Sequence, residues 1–183
     1  MTERARCMAL PRGRSLDLSA GFAVMGIINV TPDSFWAGSR ARSDAVADIA
    51  AAMIADGAAV LDIGGESTRP GSAYVGADEE LERVLPAVEA IRSRWDIAVS
   101  VDTRKSAVAR AALAAGADIV NDVAALEDDP GMGAVCAAAG APVVLMHKKG
   151  IPETMQDKPC YDDCAAEVDR KSTRLNSSHR IRS

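Results

Sequence analysis

Aromatic side chains are almost missing from this sequence: Phe, Tyr and Trp make up 3% of its 183 residues, although 48% are hydrophobic. Its core therefore has to be aliphatic and rich in alanine. Long uninterrupted apolar runs are scarce. Stretches such as Ile49-Ala50-Ala51-Ala52-Met53-Ile54-Ala55 are bounded by Asp48 and Asp56 and are too short to span a bilayer, so no membrane segment is expected. The N-terminus, Met1-Thr2-Glu3-Arg4-Ala5-Arg6, is charged and leads into no apolar signal region, which makes a cytoplasmic location the expectation. Cysteine is sparse. Cys160 and Cys164 are spaced to share a helix face, but no ligand cluster surrounds them, and with Cys7 and Cys136 they read as free thiols. Positive charge is in deficit as well, with 21 Lys and Arg against 26 Asp and Glu, and the net charge of -5 argues against a nucleic-acid partner.

What is present is a repeated pattern. Val24-Met25-Gly26-Ile27-Ile28-Asn29-Val30 runs into Thr31-Pro32-Asp33-Ser34-Phe35. A second apolar stretch ends likewise in Asp62-Ile63-Gly64-Gly65-Glu66-Ser67-Thr68-Arg69-Pro70-Gly71. An apolar run that stops abruptly in turn-forming residues is how a buried parallel strand looks when it opens into a functional loop. Strand-type runs recur at 23–29, 60–65, 98–103, 119–122 and 143–147, with helical patterns at about 43–57, 78–94, 105–116 and 129–140. In the second helix Leu81, Val84, Leu85, Val88 and Ile91 mark the apolar face, and Asp78 is the expected N-cap ahead of Glu79 and Glu80. Gly57, Gly116 and Gly140 fall where helices should end. Short, closely spaced strands alternating with helices predict an α/β barrel, and Ser15-Leu16-Asp17-Leu18 is a candidate small strand plugging its base. About five β/α units are countable where a full barrel has eight, so the expected fold is an incomplete (β/α)8 TIM barrel over residues 1–168.

From Asp169 the composition changes. Residues 170–183 hold five basic residues and no acidic ones; without those five, 16 basic residues face 26 acidic ones, and the net charge becomes -10. The string Asp169-Arg170-Lys171-Ser172-Thr173-Arg174-Leu175-Asn176-Ser177-Ser178-His179 resembles the translation of a common short-read sequencing adapter, which marks 169–183 as a non-native tail. His147 is then the one native histidine, which weakens a metal cluster or a Ser-His-Asp arrangement.

The predicted strand ends gather Asn29, Glu66-Ser67-Thr68-Arg69, Asp102-Thr103-Arg104, Asn121-Asp122 and Met146-His147, which a parallel barrel brings to one mouth. Asp102 with Asn121 suits a flat heterocycle carrying amino and amide edges, and Arg69, Thr68 and Asn29 suit an anionic, metal-bound group such as a diphosphate. Each also has a plainer role open to it. Asp102 could cap a helix, Asn121-Asp122 could turn the chain, and Thr68-Arg69-Pro70-Gly71 could be an ordinary turn.

The segments MGIINVTPDSF, LDIGGESTRPG, SVDTRK, IVNDV and LMHKKGIPETMQ resemble, in order and spacing, those of dihydropteroate synthases, over Leu16 to Val168. The resemblance implies a (β/α)8 barrel that joins 4-aminobenzoate to 6-hydroxymethyl-dihydropterin diphosphate in folate biosynthesis. It implies that Asn29 meets Mg2+ and diphosphate, that Thr68 and Arg69 meet the pterin diphosphate, and that Asp102 and Asn121 hold the pterin ring. Ile27 and Met146 would line that pocket. Thr31 to Phe35 and Ser67 to Pro70 would form the two loops over the aminobenzoate, where sulfonamides compete. On this basis Asp102, Asn29 and Arg69 are the expected catalytic residues.

The sequence departs from the family pattern in two ways. Trp36-Ala37-Gly38-Ser39 replaces the usual Ser-Asp-Gly-Gly, and Lys148 replaces a common Met. The family's later strand ends, with a further Asp and the Lys, Arg and His for the diphosphate, have no counterpart. The expectation is therefore a polypeptide inactive as written, without the homodimer of the complete family enzyme. Two alternatives are a methyltetrahydrofolate-binding methyltransferase domain and a non-catalytic pterin-binding fragment; the Thr31–Phe35 and Gly65–Gly71 motifs favour the synthase over the former.

Overall fold

The computed structural model describes residues 7–31, 39–67, 74–147 and 159–169. A short antiparallel hairpin, β1 (Cys7–Ala9) and β2 (Ser15–Asp17), precedes five parallel strands. These are β3 (Met25–Asn29), β4 (Val60–Gly64), β5 (Ala98–Asp102), β6 (Ile119–Asp122) and β7 (Val143–Leu145), and they lie side by side in chain order. The connecting helices are α1 (Ser39–Ala55), α2 (Ala77–Arg92), α3 (Ser106–Ala115) and α4 (Met132–Ala139). A further turn of helix covers 164–169, where the Asp163 carboxylate accepts from the Ala166 N–H at 3.0 Å.

Strand residues alternate between two layers, as the period of two requires. Ile28, Leu61, Ile63, Val99, Val101 and Val120 meet Val46, Val84, Val88, Ile91, Ala109, Leu113 and Met132, so all four helices cover one face of the sheet. The opposite face carries Val60, Ala98 and Ile119 against Leu10 and Leu16 of the hairpin segment. Helices on one face with strands in sequential order is the barrel arrangement; a doubly wound sheet would carry helices on both faces. The small strand expected at Ser15–Leu18 is present and plugs the base, paired with a partner at Cys7–Ala9 that the sequence pattern did not reveal. Among the described residues β3 and β7 each pair on one side only, and the large exposed apolar residues Ile27 and Val144 sit on these two strands.

The helix ends expected at Gly57, Gly116 and Gly140 are where the backbone takes positive φ. Two local expectations need correction. Gly76, not Asp78, is the N-cap of α2, and Asp78 lies inside the first turn. Glu80 is in the first turn, where its charge suits the helix end, and it is fully buried because α2 turns Glu80, Arg83, Val84, Ala87, Val88 and Ile91 inward. Cys160 precedes the helix that begins at Cys164, so the two do not share a helix face. The tail assigned to 169–183 falls outside the described residues except for Asp169.

The closed end is held by charge. Asp118 is wholly buried and accepts from Arg12 at 2.8 Å, Arg14 at 2.5 Å, Arg92 at 2.7 Å and the Val99 N–H at 3.0 Å. Arg12 also donates to the carbonyls of Leu113, Gly116 and Ala117, which closes the C-terminal end of α3. Arg12 sits in the left-handed region at φ 61, an unfavourable conformation for a residue with a Cβ that these hydrogen bonds offset. Burial pulls the Arg92 guanidinium below its ordinary pKa, against the attraction of Asp118. Asp118→Ala would leave three guanidinium groups facing one another and should cost about 3–5 kcal/mol in urea unfolding. Asp96→Ala removes a mostly exposed partner of Arg14 and should cost no more than about 1 kcal/mol.

Candidate active site

The parallel register puts Asn29, Gly64, Asp102 and Asn121 in one lateral row at the C-terminal ends of the strands. Their positions follow from the period of two: each is in step with an inward-facing residue nearer the plug, so the row faces away from the helices. Gly64 supplies the space between two of the polar groups. A Cβ there would stand 3.3 Å from Asn29 Oδ1 and 3.7 Å from Asp102 Oδ2. The next row down holds Ile27, Asp62, Ser100 and Ile119.

Asn121 Nδ2 donates to Asp62 Oδ2 at 3.0 Å, reaching across the strand that carries Ser100. This bond fixes the orientation of the Asn121 amide. Asp62 is buried, and its Oδ1 has no partner among the described residues, so the carboxylate keeps an unused acceptor. Sequence reasoning gave Asp62 no role. The signal was an acid in the middle of the apolar run Val60-Leu61-Asp62-Ile63, since a carboxylate rarely enters a buried strand without work to do.

Burial raises the Asp102 carboxyl to a pKa of about 7, helped by the nearby charges of Asp62, Glu80, Asp122 and Glu66. The helix-cap role left open for Asp102 is not the one observed. Lys105 is the N-cap residue of α3, and the Thr103 hydroxyl accepts the Lys105 N–H at 3.2 Å. The turning role is taken by Asp122, whose two oxygens accept from the N–H groups of Ala124 and Leu126 at 2.8 Å, leaving Asn121 for the site.

The remaining expected residues are spread around this row. Ile27 is 61% exposed on the first strand of the sheet, and Met146 is half-buried just beyond the last, its N–H donating to the Asp122 carbonyl at 3.3 Å. Thr31 and Ser67 are half-buried at the ends of β3 and β4. Phe35, Thr68, Arg69 and Pro70 lie outside the described residues. Among the described residues, the cations close to the mouth are already engaged: Arg104 pairs with Glu66 at 3.2 Å and Asp128 at 3.1 Å, and Lys105 with Glu66 at 2.7 Å and Glu80 at 2.5 Å. Two hollows of about 660 Å³ lie elsewhere, one along α3 and α4 beside Arg12 and Arg110, the other at the base beside Trp95 and Leu16. The strand-end groups instead face the open side of the half-barrel.

A raised-pKa carboxyl beside an amide anchored by a second carboxylate can match a planar heterocycle on both its donor and its acceptor edges. The excess of acids also favours positive charge developing on a bound ligand.

The chain matches the family described as pterin binding enzyme over residues 25–180. It is 52% identical to the dihydropteroate synthase of Escherichia coli over 161 residues, 87% of this chain and 56% of that protein. The chain thus spans little more than half the length of that relative. Among solved structures it resembles the Yersinia pestis dihydropteroate synthase in complex with a sulfonamide drug, at TM-score 0.80 and 42% identity, covering 92% of this chain and 61% of that one. It also resembles the Xanthomonas albilineans dihydropteroate synthase with 4-aminobenzoic acid, at TM-score 0.77 and 43% identity, covering 92% and 59%.

The raised Asp102 pKa has a consequence for stability. An acid whose folded pKa lies above its unfolded value binds an extra proton in the native state, so its contribution is complete below about pH 4 and is lost as pH rises through about 7. Asp102→Asn removes that loss. Its stability relative to wild type should rise by on the order of 3 kcal/mol between pH 4 and pH 8, measured by chemical denaturation at both ends.

Proposed function

The chain belongs to the pterin-binding enzyme family, and from that membership we propose that its polypeptide is a dihydropteroate synthase. It joins 4-aminobenzoate to 6-hydroxymethyl-dihydropterin diphosphate with release of diphosphate. The observation that carries this reading is the row of Asn29, Gly64, Asp102 and Asn121 backed by the buried Asp62. Two acids and an anchored amide on one face suit a pterin's amino and amide edges, which supports the reading.

Asp102, as the carboxylate, accepts from two ring-edge N–H donors, and Asn121 meets the neighbouring edge. The bond between the pterin methylene carbon and the diphosphate oxygen breaks, the methylene becomes cation-like, and Asp102 with Asp62 supplies the negative field that favours it. The arylamine nitrogen then forms the new C–N bond and gives up a proton to solvent or to the departing diphosphate. Ile27 and Met146 flank the ring. Thr31 to Phe35 and Ser67 to Pro70 close over the arylamine, which is where a sulfonamide would compete, and Thr68 and Arg69 meet the diphosphate.

Mg2+ fits the donor set at Asn29, an exposed side-chain carbonyl at a strand end, because this ion commonly takes one or two protein oxygens and completes its shell with phosphate and water. When bound it would neutralise charge on the leaving diphosphate. The complete enzyme is read as a cytoplasmic homodimer. Among the described residues no helix is long and apolar enough to cross a membrane.

The test is formation of dihydropteroate by residues 1–168 continued with the remaining portion of the Escherichia coli relative. The chimera should turn over both substrates, and residues 1–183 alone should not. Asp102→Asn in the chimera should abolish turnover, with a loss in pterin binding of about 1.5–3 kcal/mol, because an amide matches only one of the two donors. A soluble, folded chimera without activity would overturn the assignment. In calorimetry, Asn29→Ala should weaken Mg2+-dependent binding of the pterin diphosphate more than binding of a pterin lacking phosphates; equal losses would remove the metal role.

A further inference from the structure

Beside the row of strand-end groups lies a second charged cluster that the reaction above leaves unused. Lys105 Nζ sits between Glu66 Oε2 at 2.7 Å and Glu80 Oε2 at 2.5 Å, and all three side chains are at least nine-tenths buried. Glu66 Oε1 accepts from the Val75 N–H at 3.1 Å, nine positions along the chain. The Tyr74 ring covers the cluster, with Lys105 Nζ 4.8 Å and the Arg104 guanidinium carbon 5.2 Å from its centre. We propose that Lys105 is a positioning residue for the arylamine side of the site, holding Glu66 and Glu80 together under Tyr74 and so fixing Ser67, the residue that follows Glu66, together with Tyr74. This rests on the synthase reading, which sets Ser67 over the arylamine.

Four elements converge on the cluster. Glu66 follows the end of β4, Arg104 and Lys105 follow the end of β5, Glu80 comes from the first turn of α2, and Tyr74 and Val75 lead into that helix. Gly65 lets them meet: a Cβ there would stand 2.8 Å from Val84 Cγ2 and 3.0 Å from Glu80 Cγ, so any larger residue would push α2 off the strand end. Burial alone would lower the Lys105 pKa, but its bonds to Glu66 and Glu80 outweigh it and hold the ammonium above its ordinary value. Burial likewise opposes the Glu66 charge, and the bonds from Arg104, Lys105 and the Val75 N–H outweigh it and keep the carboxyl below its ordinary value. Both charges are therefore in place at neutral pH.

The cluster is placed for function and not only for stability. The base already has its own charge lock at Asp118, whereas this one joins the ends of β4 and β5 to the start of α2 at the mouth. A hydrophobic cluster of the same volume would hold the elements together as firmly, but would not aim Glu66 at the Val75 N–H. Glu80 Oε1 is also buried without a partner among the described residues, a cost the fold bears at the mouth.

The test uses the full-length polypeptide and three variants. Lys105→Met keeps the stem and removes the charge, Lys105→Arg restores it, and Tyr74→Leu removes the ring cover from a mostly exposed position. Lys105→Met should raise KM for 4-aminobenzoate roughly tenfold while the pterin diphosphate Kd stays within about twofold, and Lys105→Arg should recover most of the loss. Tyr74→Leu, which spares the ion pairs and tests the idea even if Lys105→Met does not fold, should raise the same KM roughly two- to fivefold. Amide hydrogen exchange at Ser67, Tyr74 and Val75 should speed up in Lys105→Met and Tyr74→Leu with the core amides unchanged. Equal losses for both substrates, or unchanged exchange at those three amides in a folded variant, would overturn the proposal. Faster exchange there in a wild-type background that makes no dihydropteroate would uphold the clasp and sink the synthase reading instead.

Discussion

Everything at the mouth depends on the register of the parallel sheet. Because β3 to β6 run in the same direction and in step, Asn29, Gly64, Asp102 and Asn121 arrive at one level on one face, although they come from four separate parts of the chain. A slip of β4 by one residue would turn Asp62 toward the apolar helix layer, bring Ile63 to the inner face and cut the Asp62–Asn121 bond. Burial in the helix-facing layer makes such a slip costly, since Leu61 and Ile63 would both leave it.

The two ends of the sheet treat charge differently. At the base, the buried Asp118 is satisfied by three guanidinium groups and a backbone N–H, which ties the hairpin, the end of α2 and the start of β6 together. At the mouth, Asp62 and Glu80 each keep an oxygen without a partner among the described residues, and Asp102 is held near neutrality by burial and by its acidic neighbours. A fold that completes its polar bonding at one end and leaves it open at the other has set the second end aside for a ligand. The described cations at that end, Arg104 and Lys105, are committed to carboxylates.

Much of this was legible in the sequence because it is local. Apolar runs ending in polar turns gave all five parallel strands, positive-φ glycines marked helix ends, and the strand-end position of Asp102 and Asn121 singled them out. What was not legible depends on distance. Arg12 and Arg14 look like ordinary basic residues near an N-terminus, and their partner Asp118 lies more than a hundred positions away. Glu80 reads as a first-turn acid suited to a helix dipole until Lys105, 25 positions on, is brought beneath it. The raised pKa of Asp102 could not be foreseen either, since it follows from burial and from four carboxylates that only the fold assembles.

The most direct test of the account is a carbon-13 titration of the Asp102 carboxyl in the full-length polypeptide, with and without the pterin diphosphate. The account predicts a midpoint of about 7 in the free protein and a clear downward shift on binding, because ring N–H donors favour the carboxylate. A free-protein midpoint near the ordinary value of 3.8, or a midpoint that does not move when the ligand binds, would contradict it.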